Sequence, residues 1–156
     1  CITNSGSDIH GNKYFLGNNI SSTSFTNNIN IVNNDSLNSL GASISKIDVN
    51  GNFIWNKYFF NCSIVDMKLS PDEKHIGVII NPNASYTSYI YFGNKFSFGN
   101  SQANVDTVYA PSGGSVFLQF SNNGLLEKSY NFTSLQLGLF LNTDDNGYFN
   151  LNGIKV

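Results

Sequence analysis

The sequence predicts an all-β, antiparallel chain built of propeller-like four-stranded units, and three observations predict it. Short apolar runs alternate with Asn-Gly and Ser-Pro-Asp turn signals along most of its 156 residues. Phe and Tyr are abundant, at 13 and 8 residues, which favours strands over helices. No long segment combines a 3.6-residue apolar period with helix caps at its ends.

The elements follow in order. "ASISKIDV" (Ala42 to Val49) alternates apolar and polar residues with period two, and Asn50-Gly51 turns it into "FIWNKYF". "SIVDMKLS" (Ser63 to Ser70) alternates likewise and ends at Ser70-Pro71-Asp72. "HIGVII" (His75 to Ile80) and "SVFLQF" (Ser115 to Phe120) are nearly continuous apolar runs, the pattern of strands covered on both faces. Asn123-Gly124 and Asn146-Gly147 mark two further turns. The expected core is Ile44, Ile47, Phe53, Trp55, Tyr58, Val65, Met67, Leu69, Ile76, Val78, Ile80, Phe117, Phe120, Leu137, Leu139 and Phe149.

The elements repeat. With Ile44 set against Phe117, Gly51 meets Gly124; one residue is then dropped, so that Tyr58 meets Tyr130 and Phe60 meets Phe132. Val65, Met67, Leu69 and Asp72 then fall on Leu137, Leu139, Leu141 and Asp144. "SDIHGNKYFLGN" near the start reads as a third, weaker copy of the turn and second strand. A unit therefore runs strand, turn, strand, variable polar loop, strand, turn, strand, with units at about 1–60, 61–132 and, in part, 133–156 of one β-repeat domain. Trp55, in the last strand of the best copy, is expected to pack between units. Some two and a half units fall short of the four to eight blades of a closed propeller. The count leaves a piece of a longer array, a subunit completed by association, or a two-sheet β-sandwich.

"GNKYFLGN", a loop, then "ASISKIDVNGNFIWNKYF" resembles the bacterial seven-bladed β-propeller repeat of the SBBP type. The likeness is best over Ser7 to Phe60, fair over Cys62 to Phe132 and partial beyond. It departs where "SPDEKHIGVI" replaces the Gly-Asn turn and where "LLEKSYNF" lacks the tryptophan. The resemblance implies a propeller fold and an exported bacterial protein, and it implies no catalytic residues. A chain opening on Cys1 followed by the polar "ITNSGS" also resembles a mature bacterial lipoprotein, whose first residue carries a lipid anchor.

Composition narrows the function classes. Charged residues make up only 12% of the chain, about half the usual share, and Asn supplies roughly a sixth of it. With net charge -2, no arginine and its lysines scattered singly, the chain lacks the clustered cations that nucleic-acid binding needs. No apolar run approaches the length of a transmembrane helix. The uncharged Asn/Ser/Thr surface points to an extracellular or cell-surface setting. Asn19, Asn34, Asn61, Asn83 and Asn131 each open an Asn-X-Ser/Thr glycan acceptor. Cys1 and Cys62 allow a single disulfide, against a buried free thiol at Cys62.

Catalysis is not expected. The two histidines, His10 and His75, read as turn residues, and the two glutamates, Glu73 and Glu127, lie in or next to turns. No G-x-S-x-G elbow presents a serine. In "NTDDNGYFN" the residues Asn142, Asp144, Asn146 and Asn150 have the spacing of a calcium loop, and equally that of a plain hairpin turn. "YTSYIYFGNKFSF" offers Tyr86, Tyr89 and Tyr91 as an aromatic surface for glycans, within a 86–98 insertion that also reads as an extra hairpin around Gly93-Asn94. The function expected is that of a non-catalytic structural or interaction module that pairs with itself through its edge strands. "CITNS" has neither charge nor proline and "GYFNLNGIKV" has one charge, Lys155, so neither end defends an edge well. The rival expectation is a carbohydrate-binding module or adhesin using the aromatic insertion.

Overall fold

The computed structural model describes residues 2–20, 22–25, 29–32, 41–59, 62–82, 89–93, 105–109, 114–132, 141–144, 146–151 and 154–156. Every regular element among them is a strand, and every pairing between strands is antiparallel. Three sheets carry the fold. The first begins with β1 (Ile2–Ser7) and β2 (Lys13–Ile20); after a small separate hairpin, β3 (Ser22–Phe25) with β4 (Ile29–Val32), it continues with β5 (Gly41–Ile47) and β6 (Phe53–Phe59). The second holds β7 (Cys62–Leu69) and β8 (His75–Pro82), then, past the hairpin of β9 (Tyr89–Gly93) and β10 (Val105–Tyr109), β11 (Ser115–Ser121) and β12 (Leu126–Phe132). The third holds β13 (Leu141–Thr143), β14 (Phe149–Leu151) and β15 (Ile154–Lys155). Strands β1, β2, β5 and β6 of the first sheet, and the four strands of the second, each form a meander with a hairpin inserted between its second and third strands, the unit read from sequence.

The sheets stack, and strand periodicity decides which side chains meet. Ile76, Val78 and Ile80 of β8, with Val116, Leu118 and Phe120 of β11, pack on Tyr14, Leu16, Ile44 and Phe59 of the first sheet. The alternate residues Ile79 and Phe117 point the other way, onto Leu141, Phe149 and Leu151 of the third. Successive side chains in a strand face opposite ways, so burying both faces demands an unbroken apolar run. "HIGVII" and "SVFLQF" supply it. Gly77 lies on the second of these faces, where a Cβ would stand 2.8 Å from the Phe149 ring and 3.0 Å from Leu141. Its missing side chain lets the third sheet close down.

Five hairpin turns share one design. Asp8, Asp48, Ser121 and Asp144 each open a turn whose glycine, three residues on, donates its N–H to the opener's carbonyl. Gly11, Gly51, Gly124 and Gly147 take φ of 78–86°, the left-handed region where a glycine has no Cβ to clash. The aspartates add side-chain acceptors: Asp48 Oδ1 takes the N–H groups of Asn50 and Asn52, and Asp8 Oδ1 those of His10 and Asn12. The turn opened by Ser70 is one residue longer, and Glu73 holds the left-handed position there at φ 58°.

Three readings from sequence are corrected. Val65 is 42% exposed rather than buried. A β-bulge between Ile64 and Asp66 moves the inward set of β7 from Cys62 and Ile64 to Met67, so strict alternation fails at that point. The repeat needs no dropped residue in its fourth strand: Lys46 pairs with Trp55 and Gln119 with Lys128, which sets Lys57 against Tyr130 and Phe59 against Phe132. In the following turn Asp144 matches Ser70, the residue that opens it, rather than Asp72. Finally, the partner of β9, the described part of the 86–98 insertion, is not the stretch just beyond Gly93-Asn94. β9 pairs instead with Val105–Tyr109, and its other edge meets β6 through Tyr58↔Gly93 and Phe59↔Phe92, extending the first sheet to six strands. Cys1, Asn34, Asn61, Asn83, Tyr86, Leu137 and Leu139 lie outside the described residues, and of Asn19, Phe53, Tyr58, Tyr89 and Tyr91 only the backbone is described.

Candidate functional site

The chemistry-bearing side chains gather at the seams where neighbouring sheets meet, on the side of the hairpin turns. At the first seam Trp55 lies over the turn of the second sheet, its ring atoms 3.1–3.3 Å from where a Gly124 Cβ would be. Trp55 Nε1 donates to the Asn122 carbonyl at 2.9 Å, and Lys46 Nζ donates to the same oxygen at 3.3 Å. Asn122 is itself held by its N–H on the Lys74 carbonyl and its side-chain amide on the Glu73 carbonyl. Glu73 closes the seam from the opposite side, its carboxylate accepting the Ile9 N–H at 2.9 and 3.1 Å. Trp55 therefore packs between units, as the repeat predicts.

Lys46 and Asp8 are buried charges at this seam, 3.9 Å apart, and the Lys46 ammonium sits 5.2 Å from the centre of the Tyr14 ring. Burial pushes the Asp8 carboxyl up, but the Asn12 amide, the Asn12 and His10 N–H groups and the Lys46 charge outweigh it and hold Asp8 below the ordinary aspartate value. Tyr14 is driven well above the ordinary tyrosine value, by burial first and then by the Asp8 charge. Of these groups Lys46 reaches the second sheet, through the Asn122 carbonyl, while Asp8 and Tyr14 hold it from within the first.

The second seam is open. A depression of about 430 Å³ separates the second sheet from the third, walled by His75, Gln119, Glu127 and Lys128 on one side and by the turn 146–148 on the other. Glu127 Oε2 lies 2.7 Å from His75 Nδ1 and accepts from Gln119 Nε2 at 2.9 Å. Desolvation raises the Glu127 carboxyl, yet those two partners bring it below the ordinary glutamate value. The ladder makes Gln119 the counterpart of Lys46 and Lys128 that of Trp55. The groups therefore form a pre-ordered set of donors and acceptors beside a half-open wall. Such a surface can bind; the described residues show no nucleophile set against the His75–Glu127 pair.

The residues singled out from sequence fall elsewhere. Asn142 and Asn150 are cross-strand partners in β13 and β14, and Asp144 Oδ1 accepts the N–H groups of Asn146 and Tyr148 as the other turn openers do. Asn146 alone of that set borders the depression. Among the described residues no three His, Cys, Asp or Glu side chains gather as a metal site. Asn131 is exposed on β12, accessible as a glycan acceptor. Cys62 is a buried free thiol whose pKa burial pushes up. Among the described residues no helix is long and apolar enough to cross a membrane. The His75–Glu127–Gln119 cluster was missed in sequence because its members come from three strands. Its one signal was Glu127 beside the Asn-Gly turn. Comparison with family models, with curated proteins and with solved structures finds no match for this chain.

Proposed function

We propose that the chain is a non-catalytic structural module of an exported, cell-surface protein, and that it assembles with itself through its sheet edges. The seam carries this reading. Lys46, Trp55, Glu73 and Asn122 are spent on fastening one sheet to the next, and Asp8 holds Lys46 from within the first sheet. The edges give the means of association: β1 ends the first sheet, and "ITNSGS" has neither the charge nor the proline that guards an edge against pairing. An edge contact that does not close on itself extends into a filament. The low charge and the exposed sequon at Asn131 support an extracellular setting.

Sedimentation velocity over a range of concentrations tests the proposal. Association should appear as species heavier than the 17.1-kDa chain, and Asn4→Lys, a charge set on β1, should weaken it by tenfold or more. A 17.1-kDa species at every concentration, from a folded protein, would overturn it.

A further inference from the structure

Three of the described hairpin turns set an asparagine directly before the left-handed glycine: Asn50-Gly51, Asn123-Gly124 and Asn146-Gly147. An asparagine in this place carries a chemistry that no folding contact uses. Once deprotonated, the glycine nitrogen, with no side chain beside it, can add to the asparagine Cγ. The side-chain nitrogen then leaves as ammonia and a five-membered succinimide closes. In the folded turns that nitrogen is occupied: Gly51, Gly124 and Gly147 donate their N–H groups to the opener's carbonyl at 3.0, 2.9 and 3.0 Å. The reaction therefore waits on a local opening of the turn, and its rate follows the cost of that opening.

The three backbones agree, with φ of 86°, 81° and 83°, so the surroundings decide. At Asn123 the first seam resists opening. Trp55 ring atoms stand 3.1–3.3 Å from where a Gly124 Cβ would be. The neighbouring Asn122 is held from three sides: its carbonyl by Trp55 and Lys46, its N–H by the Lys74 carbonyl, its side-chain amide by the Glu73 carbonyl. At Asn50 both turn residues are exposed, and nothing lies within 4 Å of a Gly51 Cβ. Its turn has the firmer local cap, since Asp48 Oδ1 accepts the Asn50 and Asn52 N–H groups at 2.8 Å while Ser121 Oγ accepts that of Leu125 at 3.2 Å. Those Asp48 bonds face water, which replaces them as the turn opens; the contacts of Asn122 and Gly124 break only with the seam. Asn146 lies between the two, its Gly147 half-buried with Asp72 Cγ at 4.0 Å.

We propose that Asn50 is a site of spontaneous covalent modification, converted through a succinimide to aspartyl and isoaspartyl forms, and that the Trp55 seam spares Asn123. Water completes the step by adding to one succinimide carbonyl and breaking its bond to the ring nitrogen. Opening at the side-chain carbonyl leaves aspartate; opening at the backbone carbonyl leaves isoaspartate, with the chain rerouted through Cβ and Cγ. Amide and water become carboxylate and ammonium, and nothing is oxidised or reduced. Each event sets one new negative charge on the turn between β5 and β6.

The test holds the intact 156-residue protein in mildly alkaline buffer and maps timed samples by mass spectrometry, reading the amide-to-acid mass gain at Asn50 and Asn123 separately. A parallel sample in urea gives the rate of each site without the fold. The two sites should react alike in urea, whereas in the native protein Asn50 should outpace Asn123 at least tenfold. Trp55→Ala should raise the native Asn123 rate severalfold and leave that of Asn50 unchanged, with circular dichroism confirming the fold. Trp55→Phe, which keeps a ring but loses the donor to Asn122, should give a smaller rise. Equal native rates at the two sites, or an Asn123 rate indifferent to residue 55, would overturn the inference.

Discussion

Gly77→Ala would lodge one methyl group between two sheets. The new Cβ would meet Phe149 Cδ1 and Cε1 at 2.8 Å and Leu141 Cδ2 at 3.0 Å, where carbon atoms rest best at about 3.5–4.0 Å. Phe149 and Leu141 are both fully buried, so neither can swing into solvent. Overpacking of this kind costs about 1–3 kcal/mol. Against it, an alanine loses less backbone entropy than a glycine on folding, worth about 0.4–1 kcal/mol. The net expectation is a loss of about 1–2 kcal/mol, read as a urea midpoint lower by about 0.5–1 M at a slope near 2 kcal/mol per M. Phe149→Leu in the same chain should recover part of the loss, with a coupling of at least about 0.5 kcal/mol. Gly6→Ala, with nothing within 4 Å of its Cβ, is the control and should not destabilise. A Gly77→Ala protein as stable as the parent would refute the packing of the third sheet on the second.

Three further outcomes follow from the seams and turns. Gly124→Ala should destabilise by about 2 kcal/mol or more in urea unfolding, because the position needs φ of 81° and its Cβ would press on the Trp55 ring; Gly51→Ala, with φ of 86° but open space, should cost less. Asp8, Asp48, Asp72 and Glu127 all sit below their ordinary values, so the unfolded chain binds more protons than the native one in acid. The stability they contribute is present above about pH 4 and is lost as pH falls through the native values, a loss that urea midpoints measured against pH should show and Asp8→Asn should make shallower. In a Cys1→Ser protein the Cys62 thiol should react with Ellman's reagent only after denaturant is added, since it is buried and held protonated; prompt native labelling would contradict its burial.

Much of this fold is legible in the sequence because its signals are local. An Asn-Gly pair fixes a turn through the backbone freedom of one glycine, and an unbroken apolar run fixes a strand with two covered faces. Both kinds of signal placed β5, β6, β8 and β11 correctly. What escaped depends on pairing across distance. Nothing in "SIVDMKL" announces that Val65 turns outward; the bulge is set by the partner strand, and it turns the Asp66 carboxylate to accept the Leu141 N–H of the third sheet. The partner of β9 was misread because eleven residues, 94–104, separate it from β10, and the nearer Gly93-Asn94 looked like a turn. The seams were the least legible part. At the first of them a backbone carbonyl, that of Asn122, is the organising acceptor, and a carbonyl leaves no mark in the residue alphabet.

The claim that a second sheet lies enclosed between a first and a third is tested most directly by native-state hydrogen exchange, residue by residue. The amides of Val78, Ile79, Ile80, Phe117 and Leu118 should exchange slowest, opening only with global unfolding, since β8 and β11 are central in their sheet and buried on both faces. The amides of β1, an edge strand, should exchange faster by orders of magnitude. Exchange of Val78, Ile80 and Leu118 as fast as that of β1 would contradict the stacking of the three sheets.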